Sequence, residues 1–191
     1  MAIKLLRSLR LDASDGFVFD KVAEPGEWLV PGSFVFWGDD MDTLVGKRRQ
    51  AFRSGFLGLS SFGWSTLAMV SEASVEEREA AIAELAAYLR RDHGAPDEAT
   101  ALAAAREELT FAESLACHPV QTIIALNRRL DSDGEIKEQF RTLRPAESTA
   151  GDGLPCSAGA FFAEEINEPE EGEAVDLAAL MSAGSKVGGR Q

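Results

Sequence analysis

The sequence predicts an α+β fold, with a mainly antiparallel sheet of roughly five to six strands and about three helices packed on one face. Several short segments alternate apolar and polar residues, and they follow one another directly instead of alternating strictly with helices. Longer segments between them carry apolar residues at helical spacing. The composition then changes, so residues 1–145 are predicted to form a single α+β domain and residues 146–191 an acidic, glycine-rich, disordered tail.

The first strands are predicted near the N-terminus. Residues 3–11 alternate apolar and polar side chains, as in a half-buried strand, and residues 16–19 begin a second strand after a turn. Residues 28–30 and 33–37 flank Pro31-Gly32. They form either two short strands or one strand bent at a sheet edge, where proline is tolerated.

A helix and a central strand follow. Asp42 or Thr43 is a suitable helix cap, and the helix behind it carries Phe52 on its apolar face. Residues 64–70 contain few charges on either side, which is typical of a central strand. Trp64, at the start of that strand, is expected to be buried against the helix bearing Phe52 and Phe56.

Two more helices precede a β-hairpin. Ser74 and Glu77 have the spacing of a capping box, and Pro96-Asp97 opens the next helix. Residues 122–128 and 136–141 alternate around an Asp131-to-Gly134 turn and predict the hairpin. The inward-facing residues predicted for the two helices are Ile82, Leu85, Ala86 and Leu89, then Leu102, Ala105, Leu109, Ala112 and Leu115.

Composition excludes several classes of function. A net charge of −13 and a pI near 4.6 argue against nucleic acid or an anionic membrane as the main partner. The N-terminus lacks the apolar core of a signal peptide and no segment is long and apolar enough to span a membrane, so we expect a cytoplasmic protein. Cys117 and His118 are adjacent, without the spacing or second cluster of a metal site. No metal, cofactor or catalytic residue is predicted.

One stretch resembles an anion site. Lys47-Arg48-Arg49 and Arg53 form the densest basic cluster, and a loop rich in glycine, serine and aromatic residues follows. Arg49 and Arg53 lie one helical turn apart, so with the backbone amides around Ser60 and Ser61 they predict a contact with a ligand or partner. In the alternative interpretation, the glycines allow tight packing, the aromatic residues are core, and the arginines balance nearby carboxylates.

The tail contains one candidate motif. It carries a net charge of −7, and its short helix predicted over residues 174–182 places Leu177, Leu180 and Met181 on one side. Such a segment is too short to be a stable helix alone, and it is predicted to fold on a partner's hydrophobic groove. In the alternative interpretation, these are chance apolar residues in an unstructured tail.

The residue runs 51–67 and 140–145 resemble a family of small uncharacterised alphaproteobacterial proteins, with similarity over residues 1–145. The family has no established activity, so the resemblance implies no catalytic residue. The resemblance implies that the gene lies near genes for redox and cofactor-dependent enzymes, including molybdenum enzymes. It therefore implies an accessory role.

These observations predict a non-catalytic cytoplasmic binding or accessory protein with a protein partner, assisting a redox or cofactor-dependent enzyme. The alternative is a small enzyme or ligand-binding protein that takes an anionic small molecule near Arg49, Arg53 and Ser60.

Overall fold

The computed structural model describes residues 3–11, 13–145 and 161–165, with residues 144, 145 and 161–165 described by their backbone only. The predicted disordered tail therefore lies outside the described residues apart from 161–165. The same holds for its predicted helix at 174–182 and for Leu177, Leu180 and Met181.

An antiparallel sheet forms the centre of the fold. Its strands follow the order β4-β3-β2-β1-β5-β6-β7-β8, and every neighbouring pair is antiparallel. The predicted α+β class and antiparallel sheet are confirmed. The strands are β1 (Ile3–Leu9), β2 (Trp28–Val30), β3 (Phe56–Gly58), β4 (Trp64–Ser65), β5 (Leu67–Ala73), β6 (Ile123–Leu130) and β7 (Ile136–Pro145), with β8 (Phe161–Glu165) along the edge of β7.

The described residues form more strands than the five to six predicted, partly because the segment 64–70 is divided. Trp64–Ser65 pairs with β3, whereas Leu67–Ala73 pairs with β1 and β6. The predicted burial of Trp64 is confirmed: 7% of its surface is exposed, and its ring centroid lies 5.2 Å from that of Phe36. Phe36 in turn packs edge-on against Phe52 of the helix Gly46–Ser54. The prediction that Phe56 belongs to that helix is wrong, because the helix ends at Ser54 and Phe56 begins β3.

The described helices also outnumber the prediction of about three. They are α1 (Asp15–Val18), α2 (Gly46–Ser54), α3 (Val75–Asp92) and α4 (Glu98–Leu115), with short 3-10 helices at Ser33–Phe36 and Met41–Thr43.

Two predicted strands are wrong. Residues 16–18 belong to the one-turn helix α1, on which Phe17 is exposed, and Phe19 is buried directly after it. Residues 33–37 leave the sheet because Gly32 adopts a left-handed φ of +73°, which turns the chain into a 3-10 helix. A Cβ at Gly32 would lie 2.6 Å from Leu57 Cβ, so a side chain there would also collide with β3.

The two long helices match their predicted boundaries and faces. The capping box is present, with the Glu77 amide donating to Ser74 Oγ at 3.1 Å and the Ser74 amide to Glu77 Oε2 at 2.8 Å. All predicted inward-facing residues of α3 and α4 are buried except Leu102, which is half-buried. The predicted hairpin is β6–β7, which pairs from Ile123↔Leu143 to Leu130↔Ile136 around a loop at residues 131–135.

Candidate functional site

The two predicted arginines share a cavity. Arg49 and Arg53 on α2 line a space of about 390 Å³ together with Arg129 of β6. None of these three guanidinium groups forms a hydrogen bond or ion pair with another described residue. We call this space the arginine cavity. No carboxylate of the described residues lines it, and its remaining wall consists of Met41, Leu44, Phe52, Asn127, Arg128 and Leu130.

Ser60 and Ser61 are not among the residues lining the arginine cavity. They lie in the β3–β4 loop, where their backbone amides donate to Glu27 Oε2 at 2.8 and 2.9 Å. Ser61 Oγ and the Glu24 amide each donate to Glu27 Oε1 at 2.5 Å. A Cβ at Gly58 would collide with the Glu27 carboxylate. The loop amides therefore do hold an anion, and that anion is the chain's own glutamate.

Arg128 stands beside the arginine cavity but is enclosed by the protein, with 1% of its surface exposed. Its Nε donates to Glu138 Oε1 at 2.6 Å. One terminal nitrogen donates to the carbonyls of Phe52 and Gly55 at 3.1 and 2.8 Å, and the other donates to the Pro31 carbonyl. Burial lowers the pKa of Arg128, and the negative charge of Glu138 acts in the opposite direction. The guanidinium remains a cation, as arginines in proteins do.

A second carboxylate lies near this buried charge. Glu108 of α4 accepts the Gly32 amide at 2.9 Å, which holds the left-handed turn after β2. Burial raises the pKa of Glu108, and the negative charge of Glu138 adds to that effect, while the Gly32 amide and Arg128 act in the opposite direction.

Trp37 is the most exposed tryptophan, with 78% of its surface accessible. It stands between two clefts of about 510 and 500 Å³ that also share Asp39. The β6–β7 hairpin lines the first cleft. The end of α3 and the start of α4 line the second. Trp37 and these two clefts are called the Trp37 surface below. Met41 and Leu130 line both the first cleft and the arginine cavity, so the two sites adjoin.

Aromatic rings close the far side of the second cleft. His93, the residue after α3, meets Phe34 and Tyr88 edge-on at 5.2 and 4.8 Å between ring centroids. Phe62 stacks on Tyr88 at 4.0 Å and adopts φ +54°, an uncommon conformation for a non-glycine residue. Partial burial among these rings lowers the pKa of His93, which favours the neutral imidazole.

A family model described as a family of unknown function, DUF6505, matches residues 2–152. The chain belongs to this family. The match agrees with the resemblance to an uncharacterised family over residues 1–145 and carries no information on taxonomic origin. No curated protein and no solved structure matches this DUF6505 chain.

Among the described residues, no group of three or more His, Cys, Asp or Glu side chains is placed to hold a metal ion. Within that same part of the chain, no helix combines the length and the apolar character needed to cross a membrane.

Sequence reasoning missed Trp37, Glu27 and Arg129. The apolar run 33–37 predicts a strand that includes Trp37. The turn signal Gly38-Asp39-Asp40 directly after it indicates where this run leaves the core. Arg129 alternates with Arg128 on β6, and only the tertiary structure shows which one faces the interior. Nothing in the sequence pairs Glu27 with the loop more than 30 residues away.

Proposed function

We propose that this DUF6505 chain is a non-catalytic binding protein that docks on a partner protein through the Trp37 surface. The observation that carries the proposal is a tryptophan with 78% of its surface exposed between two clefts of the size that side chains of a partner fill. Exposing so large an apolar side chain is unfavourable in the isolated chain, and tryptophan is among the residues that contribute most to protein interfaces.

The backbone that carries Trp37 is firmly anchored. The Pro31 carbonyl accepts from Arg128, and the Gly32 amide donates to Glu108, immediately before the 3-10 helix. Phe34 and Phe36 of that helix are buried. A backbone segment held in this way loses little conformational freedom on binding, which favours affinity.

The charge around Trp37 indicates the chemistry of the partner. Asp39 lines both clefts, Asp92 lines the second, and Glu135 lines the first. Asp39 and Asp92 are paired with Arg48 and Arg91 at 2.7 and 2.8 Å, and the whole chain still carries a net charge of −13. The partner surface is therefore proposed to offer an apolar recess for Trp37 within a basic rim, with an association rate that falls as salt is added.

The proposed role is that of a cytoplasmic accessory protein for a redox or cofactor-dependent enzyme. The lack of a catalytic constellation in the sequence supports a binding role rather than chemistry of its own. Arg49 and Arg53 remain proposed contacts, as do Leu177, Leu180 and Met181 of the tail, whereas Ser60 and Ser61 are already bonded to Glu27.

Quantitative co-purification from the organism of origin tests the proposal. The tagged chain and its Trp37→Ala variant are expressed at the endogenous level, and the recovered proteins are compared. We expect at least one stoichiometric partner to be lost from the Trp37→Ala sample, with the melting temperature of the chain unchanged because Trp37 is exposed.

Phe17→Ala is the matched control. Phe17 is also an exposed aromatic residue, with 81% of its surface accessible, and it lies on α1 rather than on the Trp37 surface. Its removal is expected to leave the recovered partner unchanged. Recovery of the chain alone, or equal loss of the partner from both variants, would contradict the proposal.

A further inference from the structure

We propose that the arginine cavity is a binding site for a small organic anion with an apolar body, such as an aromatic or aliphatic phosphate or carboxylate. The sequence predicted a site formed by Arg49, Arg53 and the backbone amides of the β3–β4 loop. In the structure those amides are bonded to Glu27, and Arg129 lines the cavity instead. The proposal rests on the arginine cavity alone and does not depend on the Trp37 surface.

The first argument is charge. Arg49 and Arg53 are four residues apart on α2 and so project from the same side of the helix, while Arg129 approaches from β6. Three cations around one cavity repel one another, and no described carboxylate compensates them there. This is unusual in a chain with 32 acidic and 19 basic residues. An anion between the three guanidinium groups would remove the repulsion and accept bidentate hydrogen bonds.

The second argument is the apolar wall. Leu44, Phe52 and Leu130 line the same space as the arginines. An inorganic anion would leave this wall in contact with water, whereas a ligand with an apolar body would cover it. A volume of about 390 Å³ lies within the range of small-molecule sites and suits a ligand of one or two rings.

The third argument is preorganisation. Arg128 binds the carbonyls of Phe52 and Gly55 at the end of α2, so it fixes that helix against β6. Its neighbours on the strand, Asn127 and Arg129, are exposed and both line the cavity. The two walls that carry the cations are therefore held in place before any ligand arrives, which lowers the cost of binding.

Isothermal titration calorimetry of the purified chain with 1-naphthyl phosphate at low salt tests this site. Inorganic phosphate and 1-naphthol provide the charge and the apolar body separately. We expect 1-naphthyl phosphate to bind at least about tenfold more tightly than either, since the cavity offers partners for both parts of the molecule.

Three variants locate the binding. Arg53→Gln and Arg129→Gln are each expected to weaken binding of 1-naphthyl phosphate by about tenfold or more, which corresponds to one charge-assisted contact. Arg106→Gln is the matched control, because Arg106 is also an exposed arginine without a described partner, but it lies on α4 and does not line the cavity. Its affinity for 1-naphthyl phosphate should equal that of the unaltered chain.

Four results would overturn the inference. They are no detectable binding at millimolar 1-naphthyl phosphate, equal binding of inorganic phosphate, equal binding of 1-naphthol, and equal weakening by Arg106→Gln and the cavity variants. Melting temperatures of all variants are measured alongside, and since the substituted arginines are exposed, they should agree to within a few degrees. Loss of Trp37-dependent partner recovery would not affect this test.

Discussion

The β3–β4 loop and the arginine cavity both carry groups that are able to bind anions, yet the described residues fill only one of them. The loop amides of Ser60 and Ser61 are satisfied by the Glu27 carboxylate. Arg49, Arg53 and Arg129 have no partner among the described residues. The difference shows that residue types alone do not identify a site: a group that the fold already satisfies is structural, and one that it leaves unpaired is available to a ligand.

The same contrast appears between neighbours on β6. Arg128 is enclosed and bound to Glu138 and to backbone carbonyls, whereas Arg129 is exposed. Alternation along the strand sends the two side chains to opposite faces. One arginine holds the structure together, and the next has no partner among the residues that the structure describes.

Replacing each of these two arginines should separate their roles most strongly. Arg128→Met leaves Glu138 and the carbonyls of Pro31, Phe52 and Gly55 without their donor, and we expect it to cost roughly 3–5 kcal/mol of unfolding free energy. Arg129→Gln should change stability by about 0.5 kcal/mol or less. Urea unfolding of both variants provides the measurement, and equal effects would refute the contrast.

The loop offers an intermediate effect. Glu27→Ala removes the acceptor of three backbone amides and one hydroxyl, and we expect a loss of roughly 2–3 kcal/mol. Because the amides would then be open, acetate at high concentration should raise the melting temperature of this variant more than chloride does.

Glu24→Ala is the control for that measurement. Glu24 is an exposed carboxylate three residues earlier, and only its backbone takes part in the described hydrogen bonds. Its removal should change neither the stability nor the response to acetate appreciably. An identical acetate effect on both variants would mean that the loop is not a latent anion site.

Glu108 gives the smallest effect, and it depends on pH. The pKa of Glu108 is raised above the ordinary 4.5 in the folded chain. Between 4.5 and the raised pKa, the folded chain therefore binds more protons than the unfolded one. Stability therefore falls as the pH rises through that window. Glu108→Gln keeps an oxygen that can accept from the Gly32 amide and removes the titration.

Relative to the unaltered chain, the Glu108→Gln variant should thus gain stability as the pH rises above the ordinary 4.5, by on the order of 1 kcal/mol or less since the side chain is only half-buried. Thermal unfolding across this range provides the measurement, and Glu107→Gln on the same helix is the control. A constant difference at every pH would show that ionisation of Glu108 does not oppose folding.

Local signals predicted much of the fold. The capping box at Ser74 and Glu77, the faces of α3 and α4 and the β6–β7 hairpin depend on residues close together in the chain, and all are present. The strands predicted at residues 16–19 and 33–37 are wrong because short apolar runs do not distinguish strand from helix by periodicity alone.

The candidate site was less accessible from the sequence. Arg49 and Arg53 share a cavity as their spacing suggested, but the third cation comes from a strand 76 residues beyond Arg53. The pairing of Glu27 with Ser60 and Ser61 is equally non-local. Contacts of this kind arise from the order of strands in the sheet, which no local pattern specifies.

Arg128 has a consequence for how the chain is made. The carbonyls of Phe52 and Pro31 that accept from Arg128 lie 76 and 97 residues earlier in the chain. These hydrogen bonds can therefore form only after the hairpin that carries Arg128 has left the ribosome. Until then the end of α2 and the turn before Trp37 lack their common donor, and closing loops of this length slows folding. A nascent chain that ends before residue 128 therefore cannot complete either surface, and the proposed partner and ligand would bind only after the β6–β7 hairpin has been synthesised.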